Sequence, residues 1–354
     1  MPPGQLADVD IAEMNLLCAT GLPGAEGLDI AHCLATLDTW PARVKSETER
    51  HLYRVRDPRW AEHYRHSETY LRAEFLLQVL QEDLGVKYDM SAADNFSFKD
   101  SRVAFLHGMI PAEGRTVTET PGGTCASMPV MYVAVGRRLG YPLKLVTTDG
   151  HIFVRWDGKS HPNTAWCDRF NIEGAGGGFS SYDDKHYMTW PKKLTAHQAR
   201  ANGYLESLTP KEELAMFLAS RGHCGLDNGQ TTFAARCYEN AYRYDTRRAC
   251  YRAWFLDAAR RSGYRPFTPA LARMLTRPQR PSVVRHPILG DDTLIPSSAS
   301  AGKPHIPGQP HIPCVEPWQP APVTSGVPQP PASPVPQGGS PKPYQLPVPG
   351  RPRR

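Results

Sequence analysis

The 354-residue chain carries 41 Lys and Arg against 35 Asp and Glu, a net charge of +6, with 40% hydrophobic and 21% charged residues. That mild charge, with no basic stripe interleaved with aromatics, argues against a nucleic-acid partner. No apolar run approaches the ~20 residues of a spanning helix, which argues against a membrane protein. Of the 35 prolines, 23 fall between Pro266 and Pro352, so a folded body of about 1–275 is set apart from a tail.

Residues 1–13 bear acids and no basic residue ahead of an apolar stretch, unlike a signal peptide, so a cytoplasmic protein is expected. The eight cysteines (18, 33, 125, 167, 224, 237, 250 and 314) form no CxxC pair. They read as free thiols, and their spacing suits neither a disulfide framework nor a zinc site. No metal or cofactor is expected.

Residues 8–47 read as two helices, with Ile11, Met14, Leu17 and Cys18 on one apolar face and Ile30, Cys33, Leu34, Leu37 and Trp40 on the other. Ser67 is the N-cap of a third, with Leu71, Phe75, Leu76, Val79 and Leu80 inward and Gly85 closing it. Residues 86–124 look irregular. A helix then follows Gly123-Thr124-Cys125, with Pro129 in its first turn and Gly140 and Pro142 as its stop. Cys125 therefore lies at or near a helix N-terminus, where the backbone's partial positive charge favours a thiolate.

Three strands are predicted next: Leu143–Thr148, His151–Asp157 and about Asp168–Glu173. Residues 174–178 form a glycine-rich turn without a phosphate-binding lysine, read as backbone beside a site. Asp183-Asp184-Lys185 reads as a solvated loop. Tyr182, His186, Tyr187 and Trp190 are candidates to wall a cleft. Helices return over 210–262, where Gly222, Ala234, Tyr238 and Ala241 fall at tetratricopeptide-repeat spacing, enough for one degenerate unit. The tail from about 276 has no hydrophobic periodicity. It carries a doubled Pro-His-Ile-Pro and several PxxP spacings, and reads as an extended linker with a possible protein partner.

A thiol nucleophile needs a base, and the base needs an orienting group. His151 opens the second strand. Asn171 and Glu173 share one face of the third, because side chains two apart point the same way. If these strands are antiparallel neighbours, His151 lies across from one of them, and Cys125 faces the imidazole. The backbone N–H of Cys125 is the natural oxyanion donor. A second donor is expected from 101–124, with His107 as its candidate.

These residues resemble the transglutaminase-like superfamily of papain-fold thiol enzymes. Its members carry Gly-x-Cys, an apolar helix ending Arg-x-Leu-Gly-x-Pro, a His on the next strand pair and then an Asp. Here the chain reads Gly123-Thr124-Cys125, Arg137-Arg138-Leu139-Gly140-Tyr141-Pro142, Gly150-His151-Ile152-Phe153-Val154 and Phe170-Asn171-Ile172-Glu173. The match covers about 100–190. The flanks resemble a bacterial branch with a helical N-terminal extension and a tetratricopeptide-like C-terminal region.

The resemblance implies an α+β fold: a papain-like core, with a helix packed on an antiparallel sheet, helical extensions at both ends and a disordered proline-rich tail. The implied regions are 1–90 (helical), 91–200 (core), 201–275 (helical, tetratricopeptide-like) and 276–354 (tail). It implies Cys125 as nucleophile and His151 as base. The third position departs from the family's Asp-Pro: Glu173-Gly174 stands there, with Asn171 as the alternative third member. The implied activity is acyl transfer through a Cys thioester, with a protein or peptide substrate hydrolysed at a peptide or isopeptide bond. The competing readings are a catalytically inactive scaffold acting as a protein-interaction module, and a redox-sensing thiol.

Overall fold

The computed structural model describes residues 3–266 apart from 95, 160 and 176. The proline-rich tail at 276–354, the doubled Pro-His-Ile-Pro and Cys314 lie outside the described residues, as does the end of the 201–275 region. Helices α1 (Ile11–Ala19) and α2 (Ile30–His51) start at Asp10 and Asp29. Their carboxylates accept the backbone N–H of Ala12 at 2.6 Å and of His32 at 2.9 Å. The inward stripe of α1 runs through Ile11, Met14, Asn15 and Cys18. Leu17, predicted inward, is instead 54% exposed. Asn15 takes the buried position because its carbonyl accepts the Leu106 N–H at 2.9 Å.

Helix α3 (Glu68–Gln78) starts at Ser67, whose hydroxyl accepts the Tyr70 N–H at 3.1 Å; all five residues of the predicted face are buried, Val79 and Leu80 in the π-helical turn Val79–Asp83 that continues it. The stretch to Thr124 holds one short helix, α4 (Met90–Asp94), and 3-10 turns. Helix α5 (Met128–Arg138) is buried from Met128 through Gly136, as an all-round apolar helix must be. It ends where Gly140 takes φ +77° and the Tyr141 N–H returns to the Gly136 carbonyl at 2.9 Å.

Strands β1 (Leu143–Thr148), β2 (His151–Asp157) and β3 (Arg169–Ile172) form one antiparallel sheet in that order. Helices α6 (Asp184–Tyr187), α7 (Ala196–Asn202), α8 (Pro210–Asp227), α9 (Thr231–Tyr244) and α10 (Ala249–Ser262) follow. The arginines that close α5 fasten it to three other helices. Arg137 pairs with buried Glu213 of α8 at 2.5 Å, and Arg138 pairs with Asp10 at 2.6 Å and Asp38 at 2.7 Å.

The fold is α+β. One apolar core joins α1, α2, α3 and α5 to one face of the sheet (Leu143, Leu145, Ile152, Val154, Trp156, Ile172) and to Met216, Phe217 and Cys224 of α8. The core therefore runs across 90 and 200, the edges read from sequence. Helices α8, α9 and α10 share a second cluster around Tyr238, Tyr251, Trp254 and Phe255. Among the described residues no helix is long and apolar enough to cross a membrane.

The Gly222–Tyr238 spacing has a packing reason. A Cβ at Gly222 would stand 2.5 Å from the Tyr238 ring, which cannot swing away because its hydroxyl is hydrogen-bonded to His223 Nδ1 at 2.6 Å. Alanine gains about 1 kcal/mol of helix propensity over glycine, and overpacking costs about 1–3 kcal/mol. Gly222→Ala is therefore expected to lower the urea midpoint. A higher midpoint would show that α8 and α9 have slack at this crossing.

Candidate active site

The topology alone brings three side chains together. Helix α5 runs away from Cys125, β1 returns along it, and a two-residue turn starts β2 back at the same end. That turn is Asp149-Gly150, with Gly150 at φ +85° and Thr148 paired with His151. Of the two turn residues Gly150 alone takes a positive φ, which glycine adopts without steric cost. Strand β3 runs antiparallel to β2, with Val154 opposite Ile172 and Arg155 opposite Asn171. The residue after β3, Glu173, thus arrives at the start of β2.

Cys125 lies in the turn that leads into α5, half-buried. The turn is tightly held. The Thr124 hydroxyl accepts the Ala126 N–H at 3.1 Å and the Ser127 hydroxyl accepts the Thr124 N–H at 3.0 Å. Both hydroxyls also donate to the Val103 carbonyl, at 2.6 and 3.3 Å. The Met128 N–H bonds back to the Thr124 carbonyl at 2.9 Å, so helical hydrogen bonding begins one residue before the cysteine.

His151 is 4% exposed, and its Nε2 meets Glu173 Oε2 at 2.7 Å. Nε2 is taken by Glu173, so Nδ1 is the ring nitrogen left for Cys125, which is near enough to act on the imidazole's charge. Burial works against a charged imidazole, but the Glu173 carboxylate and then Cys125 outweigh it and hold the His151 pKa well above its ordinary value. Burial likewise opposes a charged Glu173. Its contact with His151 outweighs that, helped by the Ala175 N–H at 2.9 Å and the Tyr187 hydroxyl at 3.0 Å, and the carboxyl sits below its usual range.

The extra methylene of Glu, compared with Asp, is thus accommodated by a carboxylate that accepts from three donors. Asn171 belongs to a different network. Its carbonyl accepts Arg155 Nε at 2.7 Å, and its amide donates to Asp184 at 2.8 Å and to the Tyr182 carbonyl at 3.0 Å. Arg155 is fully buried and pairs with Asp184 at 2.5 Å. Residues 183–185, read from sequence as a solvated loop, therefore open α6: Asp183 caps the His186 N–H at 2.9 Å and Asp184 neutralises a buried arginine.

Of the aromatic residues after the glycine turn, Trp190 and Tyr187 have rings against the imidazole, Tyr187 at 6.3 Å. Trp190 stands edge-on to His151 at 4.7 Å, Tyr187 stacks on Phe153 at 3.8 Å, and Tyr182 stacks on His186 at 4.2 Å. Glu173 and Ser180 pair across the glycine turn, which is tied down at Gly174 and Gly178. The Gly174 carbonyl accepts the Tyr132 hydroxyl at 2.9 Å, and the Gly178 N–H donates to Gln81 at 2.7 Å.

His107 is not at the site. Its Nε2 meets the Ser101 hydroxyl at 3.2 Å, and burial lowers its pKa to about 4. Two features were not visible from sequence: the bridge of Tyr88 to Gly123 beside the cysteine turn, and the anchoring of the Cys125 turn on Val103. Burial pushes Cys18, Cys224 and Cys250 up to about 12 and Cys33 and Cys237 up to about 11, while Cys167 is exposed. No protein-family model, curated protein or solved structure matches the chain.

Proposed function

We propose that the chain is a transglutaminase-like cysteine enzyme with a papain-like core, cleaving or transferring an amide acyl group, with hydrolysis of a peptide or isopeptide bond as the favoured outcome. The observation that carries this reading is the buried Glu173–His151 pair at 2.7 Å, with Cys125 near enough to act on the charge of its imidazole. A scaffold has no need of a charged pair buried beside a half-exposed thiol.

In this mechanism Cys125 reacts as its thiolate, the thiol proton having left to solvent, beside the imidazolium that Glu173 holds charged. The sulfur attacks the amide carbonyl carbon: an S–C bond forms and the carbonyl π pair moves to oxygen. The Cys125 N–H donates to that oxyanion. When the oxyanion collapses, the C–N bond breaks and the imidazolium gives its proton to the leaving amine. Water or a second amine then resolves the thioester, with His151, now neutral, acting as base and the thiolate leaving.

The full chain treated with p-nitrophenyl acetate, an activated ester that needs no acyl-side pocket, should form a thioester on Cys125 and release nitrophenolate beyond one equivalent. Peptide mass mapping after acid quench reads every thiol, with exposed Cys167 as the internal control for simple accessibility. Labelling of Cys167 equal to or faster than that of Cys125 would refute the reading.

A further inference from the structure

We propose that a basic trough beside β3 binds an acidic peptide segment, with Arg56, Arg65 and Lys185 as its anchoring cations. In making that segment part of the substrate, the proposal rests on the thiol-enzyme reading.

Two open clefts meet at Arg65, which lines both. One, of about 730 Å³, runs past Tyr53, Arg56, His66 and Ala165. The other, of about 520 Å³, runs over Arg169, Phe170 and Asn171 of β3 to Tyr182 and Lys185. Clefts of this size suit a ligand larger than a lone ion. The second cleft is tied to the site through two of its walls. Strand β3 continues into Glu173, and the segment 181–185 continues into Tyr187, whose hydroxyl donates to Glu173 at 3.0 Å. From Arg169 to Glu173 the extended chain spans roughly 13 Å, about the length of four peptide residues.

Every carboxylate that lines the trough already has a partner. Glu68 pairs with Arg72 at 2.6 Å, and Asp168 accepts from the Ser67 hydroxyl at 2.7 Å and from Thr69. Asp183 caps the His186 N–H at 2.9 Å, and Asp184 neutralises Arg155 at 2.5 Å. Arg169 has Asp157 at 3.4 Å. Arg56, Arg65 and Lys185 are exposed and pair with no carboxylate among the described residues, so their charge in the trough is uncompensated. The wall carboxylates also set the class of ligand. A phosphate backbone is charged at every residue and meets those acids at close range. A peptide can set its carboxylates opposite the cations and neutral residues opposite the acids.

The backbone at Arg65 supports a use for its side chain. Arg65 and His66 take φ +52° and +51°, and the His66 N–H returns to the Ala61 carbonyl at 2.8 Å, closing the turn. Glycine is favoured at such an end because a Cβ is strained there. Arginine instead places a guanidinium 4.3 Å from the centre of the Tyr70 ring, where the two clefts meet. Strain retained at one position points to a function for what it holds.

Fluorescein-labelled hexaglutamate titrated at low salt into the full Cys125→Ala chain reads binding by anisotropy with no chemistry involved. Failure of Cys125 acetylation would sink the enzyme reading and leave this measurement standing. Hexaglutamate is expected to bind. Arg65→Gly should weaken it about threefold, and Arg65→Gly with Lys185→Gln about tenfold. The urea midpoint of Arg65→Gly should not fall, since glycine relieves the strain. Lys45→Gln with Arg115→Gln removes the same net charge from outside the trough and should leave affinity within about twofold. No binding, unchanged affinity in the trough variants, or an equal loss in the Lys45/Arg115 control overturns the proposal. Hexathymidylate bound as tightly as hexaglutamate, with the same losses, overturns the assignment to a peptide.

Discussion

Glu173→Gln is expected to slow acetylation of Cys125 by roughly 10²–10⁴-fold, with Cys125→Ala setting the floor of the measurement. The size follows from what the carboxylate does. Glu173 Oε2 receives both His151 Nε2 at 2.7 Å and the Tyr187 hydroxyl at 3.0 Å, and Oε1 receives the Ala175 N–H at 2.9 Å. Two donors converge on one oxygen and a third on the other, so each oxygen must accept. Gln offers one acceptor and one donor. Whichever way its amide turns, an N–H faces a donor that is already buried, and the imidazole loses the charge that made it basic.

Glu173→Asp separates charge from reach. It restores the carboxylate but is one methylene short of a 2.7 Å contact, so a rate between those of wild type and Glu173→Gln is expected. Asn171→Ala provides the contrasting case. Asn171 contacts Arg155 and Asp184 rather than His151, so its loss should destabilise the fold more than it slows acetylation per folded molecule. If Asn171→Ala abolished acetylation and Glu173→Gln left it intact, the assignment of the third member would be reversed.

The site was legible in sequence to the extent that it depends on local rules. Period-two alternation put His151 and Glu173 on one sheet face, and Asp149-Gly150 fixed the hairpin register that starts β2 at His151. The start of α5 was readable from the glycine-threonine lead and Pro129. The choice between Glu173 and Asn171 was not, because it depends on how far the sheet twists and on which side chain α6 captures. Asn171 was drawn away by buried Arg155, whose charge is met by Asp184, thirteen residues beyond Asn171. Tyr88 was hidden for the same kind of reason. Its bridge to Gly123 joins stretches 35 residues apart that carry no periodicity, and only the folded chain pairs them. Leu17 shows the converse limit. Helical spacing permits either Leu17 or Asn15 to face inward, and a single long-range hydrogen bond to Leu106 decided it.

Stability should carry the signature of the His151–Glu173 pair as a pH dependence whose sign is fixed by the two shifts. The folded-state pKa of His151 is raised above its ordinary 6.5, so its contribution is fully present below that value and is lost as pH rises through the folded pKa. Glu173 is lowered from 4.5, so its contribution is present above that value and is lost as pH falls through its folded pKa. Both are whole only between those ordinary values. From pH 6.5 upward the unfolded chain releases the imidazole proton while the folded chain keeps it. Each pH unit then removes up to about 1.4 kcal/mol. The urea midpoint of wild type should therefore fall steadily from pH 6.5 to 9. Cys125→Ala should keep most of that slope, since the Glu173 carboxylate outweighs the cysteine in raising the imidazole. Glu173→Gln should start lower at pH 6 and be nearly flat over the same range. An equal slope in wild type and Glu173→Gln would mean that the carboxylate is not what keeps the imidazole charged, and the basicity on which the proposed chemistry depends would have to come from elsewhere.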